Sequence, residues 1–571
     1  MACLPSTCPF CACGCRVLLQ EEGGRLVASY PSAVPPARSS LCIRGWHCTS
    51  SLSRPDRLTA PMVRGPVGLV PATWSEAVAE AARRLAGAGS PPRFVVGPSV
   101  ATEDAAAVRE LAERMGAGLC TSDLTGAPAA HDALRRVLPG GRGSMDVEAI
   151  AEADLLWVIA ADAADSPQVA ACVVEARRRG ADLVRFDVHL STADRARVVT
   201  MPADGFGELG PLLERAARHG DRAAAGAPAD GSWLPPGAAR ALVAEFRSAR
   251  RPVTIVGSRW LSSIGVEADT AALLRAIALL GGADRVVFAV GESNSWGVLD
   301  VLGPDAPAAE IACRDADLDT LVVIGDDLVR RSPRPTTMAG ALSRLRSLIV
   351  VDRFPTDTTG LAHVVLPSCA FAEVDGSVTN LFGQVRPWRR IVPPPGDCQP
   401  EREWMRRIDT ALGDAAASPR TARTARTSST RTLSTRTLST PGTPSTPSTA
   451  STDDDRPFPL LLVFSSHPAS WSAGVVTGRD EILRREAAAS VLAASPAVLK
   501  RAGLKPGWPA RLAVAGGEAT VTVMSDRRLP DEVLVLVPIP GSAPDALRGC
   551  YPGDGERTVA LQPVPARLER A

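Results

Sequence analysis

The feature that most constrains the fold of this chain is a repeated alternation of short apolar runs with alanine-rich segments. The runs are rich in Val, Ile and Leu, and they cover residues 94–96, 155–159, 183–186, 253–256, 286–290, 321–324, 348–351 and 364–366. Strands buried on both faces have this composition, and intervening helical segments are typical of parallel connections. The pattern therefore predicts an α/β protein with parallel sheets that are covered by helices on both faces.

Glycine and aspartate follow several of these runs. Ligands of parallel sheets bind where the strands end at their carboxyl termini. The positions at these ends are Gly97, Asp162, Asp187, Gly257, Gly291 and Asp326. Strand-to-helix turns also favour Gly and Asp for local reasons, so each position alone has this simpler interpretation.

A second constraint is a cysteine array near the beginning of the chain. Cys8, Cys11 and Cys15 form a C-x2-C-x3-C array, and Cys42 follows after 26 residues. Three clustered cysteines and one distant cysteine are the ligand pattern of a [4Fe-4S] cluster. A zinc site of four thiolates is the alternative, although zinc ribbons usually show two C-x2-C pairs. Cys3, Cys13 and Cys48 lie outside the pattern, and we expect them to be packed or idle thiols.

Composition excludes several other classes of protein. The chain has 571 residues and 13 cysteines, and a chain of this length should divide into several domains. Its net charge of +1 gives no electrostatic reason to expect nucleic-acid binding. An odd cysteine count without a signal peptide disfavours a disulfide framework and favours the reducing cytoplasm. No run of about 18 uncharged apolar residues is present, which predicts no direct membrane span.

Three further segments have distinct compositions. Thr73 and Glu76 predict a capping box that begins a helix, and the earlier stretch SRPDRLTAPMVRG, residues 53–65, has the composition of a polar connector. Residues 414–456 are rich in Arg, Thr, Ser and Pro with few large apolar side chains, which predicts a disordered linker. Strand-like runs beyond it predict a compact C-terminal β domain.

Several stretches together resemble one family. The stretches CPFCACGC with LCIRG, SRPDRLTAPM, TWSEA, EAIAEADLLWVIA and ADLDTLVVIGDD with the following segment to VRPWRR are similar to those of molybdopterin oxidoreductases. This superfamily includes formate dehydrogenase catalytic subunits and the large iron–sulfur subunit of NADH:quinone oxidoreductase. SSHPASWSAGVVTGR and ASPAVLKRAGLKPG resemble the family's final dinucleotide-binding domain. The similarity covers nearly the whole chain except the linker, in the family's order.

The resemblance implies an architecture of an N-terminal [4Fe-4S] subdomain, two interleaved Rossmann-like parallel-sheet domains and a C-terminal β-barrel-like dinucleotide-binding domain. The implied boundaries are 1–60 for the [4Fe-4S] domain, 61–145 with 300–413 for an α/β molybdopterin-binding domain, 146–299 for an inserted α/β domain, 414–456 for the linker and 457–571 for the C-terminal domain. The cluster would be bound by Cys8, Cys11, Cys15 and Cys42. Arg44 would lie on the electron route between the cluster and a pterin.

The resemblance also implies molybdopterin guanine dinucleotide with molybdenum or tungsten. Carboxylates and amides near strand ends can accept hydrogen bonds from a guanine or pterin edge. The implied contacts are Asp187, Asp326, Asp327, Asp375, Gly376, Asn380, Thr477 and Arg479. The simpler interpretation of each is a capping or turn residue.

The chain departs from the formate dehydrogenase pattern at the reacting centre. In those enzymes a cysteine or selenocysteine binds the metal and a histidine follows it, but alignment of 120–128 puts Thr125 and Gly126 at these positions. Val290 stands where an arginine would steady formate. A neutral hydroxyl is a poor metal ligand beside a thiolate. The SDLTGAP segment is similar to nitrate reductases in which an aspartate binds molybdenum, so Asp123 is the candidate ligand, with a turn or N-cap residue as the alternative.

Two function classes follow from these observations. The first is a working formate dehydrogenase-like oxidoreductase that passes electrons between a metal–pterin site and a [4Fe-4S] cluster, with either Asp123 or no protein side chain as ligand of the metal. The second is a non-catalytic electron-transfer or structural subunit that has kept the scaffold and lost the metal site. In both cases the resemblance implies partners that are other iron–sulfur or flavin redox subunits of a larger complex.

Overall fold

The fold is described from a computed structural model. The description covers residues 2–32, 40–138, 145–163, 165–187, 197–201, 206–219, 234, 237–261, 266–303, 306–417, 460–464, 490–514, 517–527, 529, 531, 533–537 and 564–571. Thr477, Arg479 and residues 418–456 of the predicted linker lie outside the described residues.

The strands alternate with helices through most of the chain. In chain order the strands are β1 (Ala2–Thr7), β2 (Arg16–Glu22), β3 (Arg25–Pro31), β4 (Met62–Gly65), β5 (Gly68–Pro71), β6 (Arg93–Val96), β7 (Gly118–Thr121), β8 (Leu155–Ile159), β9 (Asp182–Asp187), β10 (Arg197–Thr200), β11 (Pro252–Val256), β12 (Val286–Phe288), β13 (Thr320–Ile324), β14 (Ser347–Asp352), β15 (Val364–Pro367), β16 (Gly376–Thr379), β17 (Val385–Trp388), β18 (Leu460–Phe464), β19 (Val491–Ala494), β20 (Pro509–Val514), β21 (Gly517–Ser525), β22 (Val533–Val537) and β23 (Val564–Arg570).

The helices include several of a single turn. In chain order they are α1 (Ile43–Trp46), α2 (Trp74–Ala86), α3 (Thr102–Met115), α4 (Ala127–Val137), α5 (Val147–Ala151), α6 (Pro167–Arg178), α7 (Phe206–His219), α8 (Ala238–Ser248), α9 (Ser258–Leu261), α10 (Val266–Leu279), α11 (Ser295–Leu302), α12 (Ala309–Ala312), α13 (Leu328–Arg331), α14 (Pro335–Ser343), α15 (Asp357–Leu361), α16 (Glu401–Ala417) and α17 (Pro496–Arg501). A 3₁₀ turn spans Ala283–Arg285.

Two sheets form the centre of the molecule. One has five parallel strands in the order β10-β9-β8-β11-β12, and every residue of β8 and β11 is buried. The other has seven strands in the order β5-β4-β15-β14-β13-β6-β7. The chain leaves the seven-stranded sheet after β7, forms the five-stranded sheet and returns at β13. The predicted interleaving of two α/β units is therefore confirmed.

The seven-stranded sheet is mixed rather than wholly parallel. Its strands β15, β14, β13, β6 and β7 are parallel, whereas β4 runs antiparallel to β15 and forms a hairpin with β5. The prediction of a polar connector over residues 53–65 is therefore wrong at β4, which covers its last four residues. Strands β4 and β5 lie at the sheet edge and are only partly buried, so they lack the continuous apolar run of a central strand.

The N-terminal part is a small antiparallel sheet in the order β1-β2-β3. Its buried face carries Val17, Leu19 and Leu26, which pack in one cluster with Phe371 and Trp388 from the region around β16 and β17. The sheet is thereby attached to the larger α/β body, and the loop between β1 and β2 is held against that body.

The C-terminal strands form a closed barrel in the order β18-β22-β19-β21-β20-β23, which confirms the predicted barrel-like domain. Helix α16 continues to Ala417, four residues into the predicted linker. The predicted capping box of α2 is confirmed, because the Thr73 hydroxyl accepts from Glu76 N and the Glu76 carboxylate accepts from Thr73 N at 2.8 Å. Among the described residues, no helix has both the length and the apolar character that crossing a membrane requires.

Candidate functional site

The cysteine loop connects β1 to β2. Thr7 pairs with Arg16 at the end of the hairpin, and the Cys8 amide donates to the Cys15 carbonyl at 2.9 Å. Gly14 has φ +59°, and a Cβ atom at this position would lie 2.7 Å from Cβ of Asn380. The hairpin therefore brings the first three cysteines of the array into one tight loop, and Gly14 allows that loop to approach its neighbour closely.

The fourth cysteine begins helix α1. Cys42 is the N-cap residue, and its carbonyl accepts from the Trp46 amide at 3.1 Å. Arg44 on the same turn is fully buried. Burial by itself lowers the pKa of its guanidinium, but the Cys11 and Cys42 thiolates outweigh burial and raise the pKa above its ordinary value. The arginine is thus held as a cation against the cysteine array.

The thiols form one electrostatic group. Burial raises the pKa of Cys8, and the neighbouring thiolates of Cys48, Cys15, Cys42 and Cys11 raise it further. A hydrogen bond from Cys13 lowers the pKa of Cys11 to about 6 despite burial, and Arg44 contributes to the lowering. Cys13 and Cys48 are packed, as expected, but they lie beside the array rather than away from it.

The spacing of the thiols bears on the choice between zinc and an iron–sulfur cluster. Among the described residues, no three His, Cys, Asp or Glu side chains converge closely enough to share one metal ion. Four sulfurs on one zinc ion lie within about 4 Å of each other, because each Zn–S bond is about 2.3 Å long. In a [4Fe-4S] cluster each thiolate binds a different iron, so the sulfurs are farther apart. A single zinc ion and a [4Fe-4S] cluster therefore require different spacings of the four thiolates.

The cysteine loop touches the segment that follows β12. Cys11 and Glu292 form an isolated antiparallel bridge, and the Ala12 amide donates to the Gly291 carbonyl at 2.9 Å. Glu292 is 2% exposed, and its carboxylate accepts from the Ser99 hydroxyl at 3.0 Å. A main-chain contact therefore joins the cysteine array to the carboxyl end of a strand of the five-stranded sheet.

Glu292 belongs to a buried group of charges that we call the Arg331 cluster, formed by Asp123, Glu292, Asp326 and Arg331. Arg331 donates to Glu292 at 2.7 Å and lies 2.5 Å from Asp326, which also accepts from the Ser122 hydroxyl. Burial raises the pKa of Glu292, and Asp326 and Asp123 contribute to the rise while Arg331 opposes it. The cluster brings together the ends of β7, β12 and β13.

Asp123 has one engaged and one open carboxylate oxygen. Its Oδ1 accepts from the Thr125 amide at 2.7 Å and from the Thr125 hydroxyl at 2.6 Å, which closes a turn. Its Oδ2 is buried and has no hydrogen-bond partner among the described residues. Gly126 precedes α4 with φ +89°, and Val290 is 2% exposed. The Thr125 hydroxyl thus donates a hydrogen bond within the turn, whereas Asp123 Oδ2 is a buried acceptor without a hydrogen-bond partner among the described residues.

The five-stranded sheet carries a second buried arginine. Arg259 lies 2.5 Å from Asp187 at the end of β9 and 3.6 Å from Asp162, which follows β8. Ser258 donates to Asp165 beside them. Burial lowers the pKa of Arg259, but Asp187, Asp162 and Asp165 outweigh burial and raise it. Each central sheet therefore has an arginine bound to carboxylates at its carboxyl edge.

The remaining candidates are bonded to backbone and side-chain groups beside them in the fold. Asp327 is the N-cap of α13 and accepts from Arg330 N at 3.2 Å and from the Thr358 hydroxyl at 2.7 Å. The exposed Asp375 accepts from Arg390 N at 3.0 Å, and Gly376 begins β16 beside it. The Asn380 side chain accepts from Phe382 N and Gln384 N in the β16–β17 turn. These contacts are those of capping and turn residues.

Three charged residues of the site were missed by the sequence analysis: Glu292, Arg331 and Arg259. Glu292 and Arg331 are 39 residues apart, and Asp187 and Arg259 are 72 residues apart, so their pairing depends on the tertiary fold. The sequence offers only a general indication of these pairs. Acidic residues that are buried at strand ends need a neighbouring cation, and an arginine on a short helix that follows a strand can supply it.

Comparison with known proteins agrees with this geometry. Residues 57–409 match the family described as molybdopterin oxidoreductase, and residues 1–54 match its Fe4S4 domain. The NADPH-Fe(3+) oxidoreductase subunit alpha of Geobacter sulfurreducens is 27% identical over 484 residues, covering 72% of this chain and 56% of that protein. One subunit of the NADH-quinone oxidoreductase of Pseudomonas fluorescens is 26% identical over 431 residues, covering 68% of this chain and 45% of that protein.

The F420-dependent formate dehydrogenase 2 subunit alpha of Methanococcus maripaludis is 25% identical over 476 residues, covering 71% of this chain and 70% of that protein. The chain spans about half the length of the first two relatives. Among solved structures, acetylene hydratase from Pelobacter acetylenicus has a TM-score of 0.71 at 12% identity and covers 99% of this chain and 100% of its own. That likeness concerns the fold alone.

Proposed function

The chain belongs to the molybdopterin oxidoreductase family, and from this premise we propose that it passes electrons between a metal–pterin site and a [4Fe-4S] cluster within a larger redox complex. The family matches bring with them a [4Fe-4S] cluster and a molybdopterin cofactor. The observation that carries the proposal is the contact of the cysteine loop with Gly291 and Glu292. This contact joins the proposed ligands of the [4Fe-4S] group directly to the charged residues of the Arg331 cluster.

At the cluster end, Cys8, Cys11, Cys15 and Cys42 would hold the [4Fe-4S] group. The first three come from one hairpin loop and the fourth from the start of α1, so the backbone presents them from two sides. The guanidinium of Arg44 is buried beside Cys11 and Cys42, and its positive charge would offset the negative charge of their thiolates. These residues fit the group that the family match implies.

At the metal end, Asp123 Oδ2 is the candidate ligand. It is a hard oxygen donor, it is buried, and it has no partner within the described residues. When bound, the metal–pterin group supplies oxidation–reduction chemistry and the cluster transfers single electrons. The Thr125 turn holds the Asp123 carboxylate in place, and burial of the Arg331 cluster keeps water away from it.

For the dinucleotide part of the cofactor we propose the acceptors predicted from the sequence. Asp187 and Asp326 stand at carboxyl ends of strands in the two central sheets, the position at which α/β sheets bind ligands. The other proposed contacts are Asp327, Asp375, Gly376, Asn380, Thr477 and Arg479. Arg259 and Arg331 would orient Asp187 and Asp326 respectively, since each arginine is bonded to its carboxylate.

Partners follow from the names of the relatives. The Geobacter protein and the Methanococcus protein are alpha subunits, and the Pseudomonas protein is likewise named as a subunit, so each belongs to an assembly. We propose that this chain also works with other iron–sulfur or flavin subunits, which would exchange electrons with its cluster, and that the complex is cytoplasmic.

A second candidate function is a non-catalytic electron-transfer or structural subunit. The observation that favours it is the state of the reacting segment: the Thr125 hydroxyl is engaged by Asp123, Gly126 offers no side chain, and Val290 is a buried apolar residue. Similarity to the NADH-quinone oxidoreductase protein of Pseudomonas fluorescens is compatible with this alternative.

Elemental analysis separates the two candidates. Protein purified without oxygen should contain iron, a pterin and molybdenum or tungsten if the main proposal holds, whereas iron alone would support the second candidate. Cys11→Ala should abolish the electron paramagnetic resonance signal of the reduced cluster. The control is Cys3→Ser, which changes an exposed thiol of the same subdomain and should keep the signal. A full signal in Cys11→Ala would refute the ligand assignment.

A further inference from the structure

A cleft beside the cysteine loop opens to solvent. It has about 580 Å³ of empty space, including its open mouth, and its walls include Cys15, Arg16, Asp146, Glu148, Gln384 and Arg386. Cys15 is only partly buried, whereas Cys8 and Cys11 are each 5% exposed. The cleft therefore reaches one of the proposed ligands of the [4Fe-4S] group from the surface of the molecule.

Arg386 on β17 gives one wall of this cleft a positive charge. Its Nη2 donates to Oε1 of Gln384 at 2.5 Å, and its Nε is buried without a hydrogen-bond partner among the described residues. Arginine keeps its proton in proteins and can only donate hydrogen bonds. The guanidinium is thus a cation with an N–H donor that the described part of the chain leaves unbonded.

The opposite wall carries two carboxylates. Asp146 is the N-cap of α5, where its Oδ1 accepts from Ala149 N at 3.1 Å, and Glu148 follows in the first turn. Burial lowers the pKa of Arg386 and Arg16 lowers it further, while Glu148 and Asp146 oppose the lowering without cancelling it. Within the described residues, neither carboxylate forms an ion pair with Arg386.

Two exposed arginines continue the positive charge beyond the end of β17. Arg389 and Arg390 form no ion pair in the described part of the chain, and the Arg390 backbone N–H donates to Asp375 at 3.0 Å. The segment from Arg386 to Arg390 is at most roughly 14 Å long, so its three guanidinium groups belong to one surface. Val385 beside them is 67% exposed. Arginine next to exposed apolar area is typical of protein interfaces.

We propose that the cleft at Cys15 and this arginine surface form the docking site of the redox partner. The partner presents carboxylate side chains to Arg386, Arg389 and Arg390, because a carboxylate is the group that accepts the N–H donors of a guanidinium and balances its charge. The inference rests on the proposed function, since it takes Cys15 as a ligand of the [4Fe-4S] cluster. A partner seated in the cleft lies against Cys15, which brings its redox centre towards the cluster.

Two haem proteins of opposite charge test this docking site: cytochrome b5, which is acidic, and cytochrome c, which is basic. Holoprotein with a reduced cluster is mixed with each oxidised cytochrome. One electron passes from the cluster to the ferric haem, which becomes ferrous, and no proton is exchanged. The second-order rate constant is measured from haem absorbance at low and at high salt.

We expect the cytochrome b5 rate to fall as salt is added, because salt screens the attraction between opposite charges, and the cytochrome c rate not to fall. A cytochrome b5 rate that does not depend on salt, or a rate that falls with salt for cytochrome c alone, would overturn the proposal.

Substitutions assign the effect to the arginine surface. Arg386→Gln should lower the cytochrome b5 rate about two- to fivefold at low salt and weaken its salt dependence. Arg390→Gln should act in the same direction at an exposed position, and it keeps the proposal testable if Arg386→Gln does not fold. The control is Arg344→Gln, which removes the same charge from the exposed C-cap residue of α14 and should leave the rate unchanged. Wild-type cytochrome b5 rates in both Arg386→Gln and Arg390→Gln would refute the docking site.

Metal analysis and calorimetry keep this inference separate from the proposed function. Absence of molybdenum and tungsten would count against the catalytic function and leave the cytochrome rates measurable. Absence of iron would refute the proposed electron transfer, but calorimetric binding of cytochrome b5 that is weakened by salt and by Arg386→Gln would still support the docking site. Reduction of both cytochromes at rates independent of salt would refute the docking site and leave the proposed function standing.

Discussion

Gly14 shows how much of the cluster site depends on a single residue without a side chain. Its φ of +59° is strained for any other residue, and a Cβ atom would also meet Cβ of Asn380 at 2.7 Å. Gly23 has a similar φ of +60°, but a Cβ atom there would meet no atom within 4 Å among the described residues. A comparison of substitutions at the two glycines therefore distinguishes the free-energy cost of the backbone conformation, which both share, from the cost of the steric clash, which only Gly14 has.

We expect Gly14→Ala to lower both the iron content and the unfolding midpoint, because the cysteine loop must move away from Asn380. Gly23→Ala should cost only about 1–2 kcal/mol from its backbone conformation and retain its iron. Iron per chain and the urea midpoint are the measurements. Equal iron content in the two variants would show that the loop tolerates the displacement.

A substitution of a single residue, Asp123, tests the proposed metal-binding site. Asp123→Asn keeps the carbonyl oxygen that accepts from Thr125 but removes the negative charge, so molybdenum or tungsten content should fall several-fold while iron is unchanged. Asp315→Asn is the control, because Asp315 closes a comparable turn by accepting from Asp317 N at 3.1 Å on the surface. Metal content equal to wild type in Asp123→Asn would remove Asp123 from the ligand set.

At the scale of elements, a buried ion pair ties the segment after the N-terminal sheet to the segment after β15. Arg57 donates to both oxygens of Glu373 at 3.0 and 2.9 Å, and each side chain is 3% exposed. Burial lowers the pKa of Arg57, but bonding to Glu373 outweighs it and raises the pKa. Removal of one partner would leave the other charge buried and unpaired.

Arg57→Met should therefore cost about 3–5 kcal/mol, seen as a lower unfolding midpoint. The double variant Arg57→Met with Glu373→Leu should recover much of the loss, because apolar replacement of a whole buried pair is often nearly neutral. Arg54→Ala breaks the exposed Arg54–Asp56 pair and should cost less than about 1 kcal/mol. A midpoint in Arg57→Met equal to that in Arg54→Ala would contradict this account.

The elements differ in how far the sequence predicts them, for physical reasons. Strands β8, β11 and β13 are wholly buried, so their apolar runs are continuous and identify them. Strands β4 and β5 lie at an edge with little burial, and their composition is that of a connector. The cysteine spacing predicts the cluster ligands because it is local, whereas the Glu292–Arg331 pairing arises only when distant strand ends meet.

At the scale of the whole molecule, the two central sheets and the N-terminal sheet have different tasks. The carboxyl edges of the central sheets present the Arg331 and Arg259 groups, and the N-terminal sheet presents the cysteine loop. The bridge between Cys11 and Glu292 joins these parts. Under the proposed function, the route for electrons would therefore not depend on which side chains stand at the reacting centre.

That separation leads to the prediction that the protein does not oxidise formate appreciably, even when it is loaded with metal. Thr125 offers no thiolate, Gly126 offers no proton acceptor, and Val290 offers no cation for a carboxylate. The loss of one positioned acid–base group lowers a rate by roughly 10²–10⁴-fold, and the loss of an electrostatic stabiliser has a similar effect. Formate-dependent reduction of a viologen dye should thus stay near background, while dithionite should still reduce the cluster.

Dithionite reduction in the same sample is the control, since it shows that the cluster is intact when formate gives no signal. Formate turnover on the order of 1–10³ per second would contradict the prediction and the alignment of residues 120–128. Cys120 would then be the first alternative ligand. It lies fully buried in β7, and burial raises the pKa of its thiol to about 11. A metal bound by Cys120 would displace the proton of this thiol, so metal uptake at that position should be accompanied by proton release.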